Sequence, residues 1–127
     1  NPGSTPKANT ETWTGSAWTE VNDMPAGKGV HASAGTLTAA WAATGFQPYP
    51  TSSTASFDWD GTNWTAGGTM NTGRYGSMGA GTLPAGMVAG GIIPPGANYT
   101  DVVELYDGSS FKYYEMLSDS QESTPRR

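Results

Sequence analysis

The sequence contains no cysteine, a single histidine and only six lysine and arginine residues in 127. Without cysteine, disulfide bonds, thiolate catalysis and cysteine-based metal sites are excluded together. The basic residues are scattered and the formal net charge is −5, so no basic stripe could neutralise nucleic-acid phosphates. No apolar run approaches the roughly 20 residues of a membrane-spanning helix. We therefore expect neither a nucleic-acid partner nor a membrane span.

Glycine and proline are abundant where helix-forming residues are scarce. Together they occupy 27 of 127 positions, while 35% of residues are hydrophobic and 13% are charged. This composition favours frequent turns over helices. Five Trp, six Tyr and three Phe supply the large apolar area that disordered chains lack. We expect one ordered domain of strands and turns, with little helix.

The chain repeats itself at a fixed offset of 46 residues. Residues 12–46 align with 58–92 without a gap, and 13 of the 35 pairs are identical. A third copy begins at Tyr106, which matches Trp59 at an offset of 47. Periods of this length indicate stacked structural units. The repeat predicts an N-terminal extension at 1–9, a repeat domain at 10–117 divided into 10–26, 27–73 and 74–117, and a polar C-terminal tail at 118–127.

Each copy contains a six-residue unit that reads aromatic, polar, glycine, small hydroxyl, any residue, aromatic. This pattern predicts a β-hairpin, because glycine adopts the positive φ of a tight turn and the flanking aromatics can pack across the two strands. A polar side chain before the glycine, such as Asp60, is expected to bond the backbone of its own turn. The predicted structural repeat residues are Trp13, Gly15, Trp18, Trp59, Gly61, Trp64, Tyr106, Gly108 and Phe111.

One full repeat is expected to hold four strands, at 31–36, 39–46, 54–59 and a fourth that starts at 63 or 64. The whole chain should then hold about ten strands, as two, four and four. Prolines after the second strand fall in loops, where a missing N–H costs no ladder hydrogen bond.

These residues resemble kelch-type β-propeller repeats, in which a Gly-Gly pair closes strand two and an aromatic-Asp-Gly turn precedes a Trp. Gly90-Gly91, Trp59-Asp60-Gly61 and Trp64 match that pattern. The segment 60–75 is similar to kelch-like repeats in proteins of tailed phages and marine metagenomes. The first copy departs from the pattern, with Thr44-Gly45 in place of Gly-Gly.

The resemblance implies an all-β fold of about two and a half four-stranded antiparallel blades, located on a virion or extracellular surface. Propellers close with about four to eight blades, so the chain is expected to be an incomplete propeller. Its edges and faces would be completed by oligomerisation, with a trimer as one form, by other virion or surface proteins, or by a further part of a longer polypeptide.

The residues that could carry chemistry are few. His31 has no second histidine or cysteine nearby, so a surface or capping role is expected. Asp58 and Asp60 invite comparison with a glycosidase carboxylate pair, but Asp60 is expected to serve its turn, as is Asp107. Asp101, Glu104 and Asp107 match no calcium-binding loop, and solvated strand positions are expected for the first two. We predict no catalytic, cofactor-binding or metal-binding residue and no enzyme activity.

Four aromatic residues do not recur at the repeat period and are therefore the better candidates for subunit or ligand contact: Trp41, Tyr49, Tyr75 and Tyr99. The favoured function is a non-catalytic structural component of a virion or surface assembly. The alternative is a carbohydrate- or receptor-binding module of a tail fibre or spike. A propeller-fold glycosidase or oxidase is the least favoured.

Overall fold

A computed structural model describes residues 5–48 and 51–114, and in these ranges the protein is all-β. The strands are β1 Thr10–Trp13, β2 Trp18–Val21, β3 Ala32–Thr36, β4 Ala39–Ala43, β5 Ala55–Trp59, β6 Trp64–Thr69, β7 Met78–Thr82, β8 Ala85–Ala89, β9 Ile92–Ile93, β10 Asn98–Tyr99, β11 Val103–Tyr106 and β12 Phe111–Tyr113. The described ranges contain no helix, and hence no helix that could cross a membrane. The predicted all-β class is confirmed.

The strands form one hairpin, two four-stranded sheets and a short ribbon. Strands β1 and β2 make the hairpin. Sheet I has the order β3-β4-β5-β6 and sheet II the order β7-β8-β11-β12, with all neighbours antiparallel. Strands β9 and β10 form a ribbon inside the connection between β8 and β11. Both sheets are therefore simple meanders.

The strands of sheet I agree with the predicted strands to within a few residues. Strand β4 ends at Ala43, earlier than expected, because Thr44 and Gly45 adopt φ values of 59° and 92°. Gly90 and Gly91 follow β8 with φ values of 68° and 106°, so both sheets leave strand two through the same left-handed backbone. That conformation strains a threonine, and the Thr44 hydroxyl is fixed by donating to the Arg74 carbonyl.

Two features were not predicted. The β9–β10 ribbon adds two strands to the expected ten, in a loop where the prolines suggested no pairing. Residues of the N-terminal extension also belong to the fold, since the Met24 amide donates to the Ala8 carbonyl at 2.9 Å. The predicted tail, 118–127, lies outside the described residues.

The hairpin, sheet I and sheet II are stacked in chain order. We call the face of each unit that points away from the units that follow it in the chain its upstream face. The opposite face, which points toward the following unit, is its downstream face. Against the upstream face of sheet I lies a core cluster in which Ala42 and Phe57 meet Met24, a residue of the segment that follows the hairpin. Between sheets I and II lies a larger one that includes Trp41 and Tyr106. The fold thus consists of sheets that bury their faces against each other.

Candidate functional site

The predicted turn roles of Asp60 and Asp107 are confirmed. Asp60 Oδ1 accepts the amides of Thr62 and Asn63 at 2.8 and 2.7 Å. Asp107 Oδ1 accepts those of Ser109 and Ser110 at 2.9 and 2.8 Å. Hydrogen bonds to the charged form lower the pKa of both carboxyls, that of Asp107 to about 2. Both carboxylates hold their own turns.

Asp58 is committed to the contact between the two sheets. The hydroxyl of Tyr106, on the upstream face of sheet II, donates to both Asp58 carboxylate oxygens at 2.9 Å. The same hydroxyl accepts the Gly68 amide at 3.1 Å. Burial raises the pKa of Asp58, and the hydrogen bond from Tyr106 opposes that rise. Asp58 therefore joins the sheets and does not pair with Asp60.

The expectation that Glu104 is solvated was wrong. Its side chain is fully buried, and Oε2 lies 3.2 Å from Arg74 Nη2, which is also fully buried. Glu104 Oε1 accepts the backbone and side-chain N–H groups of Asn71 at 2.8 and 3.0 Å, and Oε2 accepts the Thr72 amide. Buried charge requires such partners. The prediction failed because it treated a carboxylate on a strand as exposed and did not identify a cation that could pair with it.

Lys28 is a second buried cation that the sequence analysis did not single out. It is 4% exposed, and Nζ donates to the carbonyls of Thr44 and Ala55 and to the Ser53 hydroxyl. Nζ also lies 5.1 Å from the centre of the Phe57 ring. Burial lowers the pKa of Lys28 to about 8. The sequence feature that pointed to Lys28 is its alignment with Arg74 in the 46-residue repeat.

His31 is half-buried beside β3, and burial lowers its pKa, with a smaller contribution from the charge of Lys28. Within residues 5–48 and 51–114, no three His, Asp or Glu side chains are grouped closely enough to hold a metal ion. Asp101 is exposed and Glu104 is buried, and among the described residues these two form no metal-binding group with Asp107.

The four non-repeating aromatics were predicted as candidate contact residues, and the three that the structure describes lie in different environments. Trp41 is fully buried between the sheets, where the space above it is so tight that a Cβ on Gly86 would lie 2.7 Å from its Nε1. It is therefore not available to a ligand or subunit, contrary to expectation. Tyr75 is half-buried and packs edge-on against Phe46. Tyr99 is 79% exposed on β10. Tyr49 lies outside the described residues.

The repeating aromatics pair across each hairpin, as predicted. The Trp13–Trp18 and Trp59–Trp64 ring centres are 5.4 and 5.2 Å apart, and Tyr106 stacks on Phe111 at 4.3 Å. The first pair nevertheless differs from the other two, because Trp13 and Trp18 are 48% and 64% exposed. An exposed pair of adjacent indoles is a candidate contact surface, and packing within the described residues does not account for this pair.

The downstream face of sheet II carries a groove of about 530 Å³. Leu105, opposite Met87 and Lys112 in the ladders, forms the floor with them, and Pro84, Asp107 and Tyr113 contribute to the rim. Alternation along β8 places Met87 on this face, because its neighbour Gly86 meets Trp41 of sheet I. We call this the distal groove.

A smaller cleft of about 350 Å³ opens between the hairpin and sheet I. Its lining includes Trp59 and four consecutive residues of β1, Thr10–Trp13, so the edge of that strand, and not one of its faces, borders the cleft. Indole rings beside hydroxyl and carboxylate groups are the chemistry with which proteins contact sugar rings. Trp59 Nε1 is already bonded to the Leu37 carbonyl at 2.9 Å, and Thr10 Oγ1 accepts Trp64 Nε1 at 3.0 Å, which leaves Thr12 and Glu11 to bond a ligand.

Comparison with known proteins supplies no family. No protein-family model matches the chain, and no curated protein matches its sequence.

Proposed function

We propose that the chain is a non-catalytic structural module, built of propeller-like blades, that stacks against further β-sheets in an assembly on a virion or other extracellular surface. The virion location and the kelch-like blade type rest on the sequence resemblance to phage repeats. The stacking rests on the geometry of the sheets.

The observation that carries the proposal is the downstream face of sheet II, which none of the described residues covers. In sheet I, Trp41 and Asp58 occupy this face and are covered by sheet II. Met87 and Leu105 align with them in the repeat, and Leu105 is 41% exposed. Apolar residues at positions that the neighbouring unit buries favour a protein partner there.

The commitment of charged groups supports a structural role over a catalytic one. Asp58 is held by Tyr106, Glu104 by Arg74, and Asp60 and Asp107 by their own turns. A general acid or base needs a side chain free to exchange a proton with a substrate. These carboxylates are used for architecture.

Sedimentation equilibrium of the purified chain tests this function. We expect a concentration-dependent mass above the 13.2 kDa of one chain, in a closed form such as a trimer or in a longer series. A stable monomer over the whole accessible concentration range, with a cooperative melt, would contradict the proposal. Absence of hydrolysis on a panel of aryl glycosides, including sialosides, is expected alongside.

The alternative is a carbohydrate- or receptor-binding module, and the cleft beside Trp13 is the observation that favours it. A glycan array probed with the wild type and with Trp13→Ala tests this alternative. Binding that the substitution abolishes would establish it, and Tyr99→Ala is the matched control because that aromatic is exposed away from the cleft. No binding to any glycan would leave the structural role as the better account.

A further inference from the structure

We propose that the upstream face of the β1–β2 hairpin of one copy occupies the distal groove on sheet II of a second copy. This inference rests on the proposed stacking function and names the two surfaces that perform it. The contact joins two different surfaces, so it is heterologous and propagates head to tail, closing into a ring where the rotation permits.

The packing inside the chain provides the template. At the sheet I–sheet II interface, the stacked pair Tyr106–Phe111 on an upstream face is buried, and Tyr106 contacts Trp41 and Asp58 on the downstream face beneath it. One step earlier, Trp64 Nε1 donates to Thr10 Oγ1 on the downstream face of the hairpin. In both interfaces an upstream aromatic pair meets a downstream face.

Within residues 5–48 and 51–114, one surface of each kind is left uncovered. Trp13 and Trp18 align with the Trp59–Trp64 pair, and their ring planes make nearly the same angle, 47° against 48°. They are the exposed upstream pair. The distal groove, with Met87 and Leu105, is the exposed downstream face. Exposed tryptophans that enter an apolar pocket are typical anchors of protein interfaces.

The charges of the two surfaces are complementary. Glu11 and Glu20 lie opposite each other in the hairpin ladder, on the face that carries the two tryptophans. The groove presents the exposed Lys112. Asp107 also lines the groove and stays ionised, but its oxygens accept the amides and hydroxyls of its own turn, so Lys112 is the group free to bond the hairpin glutamates. Because each copy has a formal charge of −5, this local pairing also offsets repulsion between copies.

Two blocking variants and their mixture test the contact by sedimentation velocity. Leu105→Arg blocks the groove, and the charged Asp58 at the equivalent position of sheet I indicates that this strand position tolerates charge. Trp18→Ser removes an exposed anchor of the hairpin. Each variant alone should weaken self-association at least about tenfold. An equimolar mixture should form a discrete 1:1 complex, because each variant retains the surface that the other lacks.

The controls separate a failure of this inference from a failure of the proposed function. Tyr99→Ser removes an exposed aromatic outside both surfaces and should leave association unchanged. Lys112→Glu should weaken association and Glu11→Lys in the partner should restore it, with circular dichroism confirming that each variant is folded. If the wild type assembles and both blocking variants assemble equally well, the surfaces are wrong and the stacking function stands. If the wild type is monomeric, both are overturned. If the mixture fails to associate, the contact is not head to tail.

Discussion

Sheets I and II bury a cation at the same place in the repeat but surround it with different chemistry. In sheet II, Arg74 is paired with Glu104. In sheet I, the aligned residues are Lys28 and Phe57, and the ammonium lies over the aromatic ring. A charge pair in one sheet thus corresponds to a cation–π contact in the other.

The groups that surround Arg74 in sheet II also differ from the aligned groups that surround Lys28 in sheet I. Glu104 is held by the amides of Asn71 and Thr72, whereas the residue aligned with Asn71 is Pro25, which has no N–H to donate. One contact is retained, since Arg74 donates to the Val102 carbonyl and Lys28 donates to the aligned Ala55 carbonyl. The comparison indicates that both sheets place a buried donor against the aligned carbonyls of Ala55 and Val102, and that the carboxylate is an addition specific to sheet II.

The largest expected effect comes from breaking the pair in sheet II. Glu104→Ala leaves the buried Arg74 guanidinium without its carboxylate and should lower the free energy of unfolding by about 3–5 kcal/mol. That is a large share of the roughly 5–15 kcal/mol typical of a domain. Chemical denaturation measures it.

The control for this loss is Asp101→Ala, which removes an exposed acid from the same segment and should change stability by less than about 0.5 kcal/mol. Replacing both members, Arg74→Met with Glu104→Leu, should recover most of the stability, because no buried charge is left unpaired. A small effect of Glu104→Ala would show that the pair is not what sheet II depends on.

A smaller, pH-dependent effect is expected from Lys28 in sheet I. Burial lowers its pKa to about 8 from 10.5, so between these values the unfolded chain holds a proton that the folded chain has released. Stability contributed by Lys28 therefore rises with pH across this window. The free energy of unfolding of Lys28→Met should lie within about 1 kcal/mol of the wild-type value near neutral pH, since the substitution removes a buried charge that has no carboxylate partner among the described residues.

Parallel melts of the wild type and Lys28→Met, from neutral to alkaline pH, measure this difference. The wild type should gain stability relative to the variant as the pH rises. Burial raises the pKa of Tyr106, which acts in the opposite direction, but Tyr106 is present in both proteins and cancels. Lys7→Met, at an exposed position, should run parallel to the wild type. Parallel curves for Lys28→Met would mean that this lysine titrates normally.

The sequence predicted what depends on local pattern. The turns at Asp60 and Asp107 follow from adjacent residues, because the carboxylate reaches amides two and three positions away. The strand bounds in sheet I follow from the 46-residue repeat and the positions of glycine and proline. Such features need no knowledge of which residues meet across the stack.

The errors concern contacts between distant residues. Burial of Trp41 depends on a tight approach by Gly86, which is 45 positions away, and burial of Glu104 depends on Arg74. Exposure of Trp13 and Trp18 depends on no described unit covering their face. The repeat contained part of this information, because aligning Lys28 with Arg74 marks two basic residues at structurally equivalent positions. Their burial follows only from the contacts that the fold makes.

The smallest expected effect measures the cation–π contact itself. A double-mutant cycle with Lys28→Met and Phe57→Leu should give a coupling energy of about 0.5–1 kcal/mol near neutral pH, where the lysine is charged. The coupling should vanish at a pH well above 8, because a neutral amine has no charge to place over the ring. Lys7→Met with Phe57→Leu is the matched cycle and should show no coupling at either pH. A coupling that persists when Lys28 is neutral would instead indicate ordinary packing between its methylene chain and the ring. The charge of Lys28 would then not stabilise sheet I at the position where sheet II uses a salt bridge.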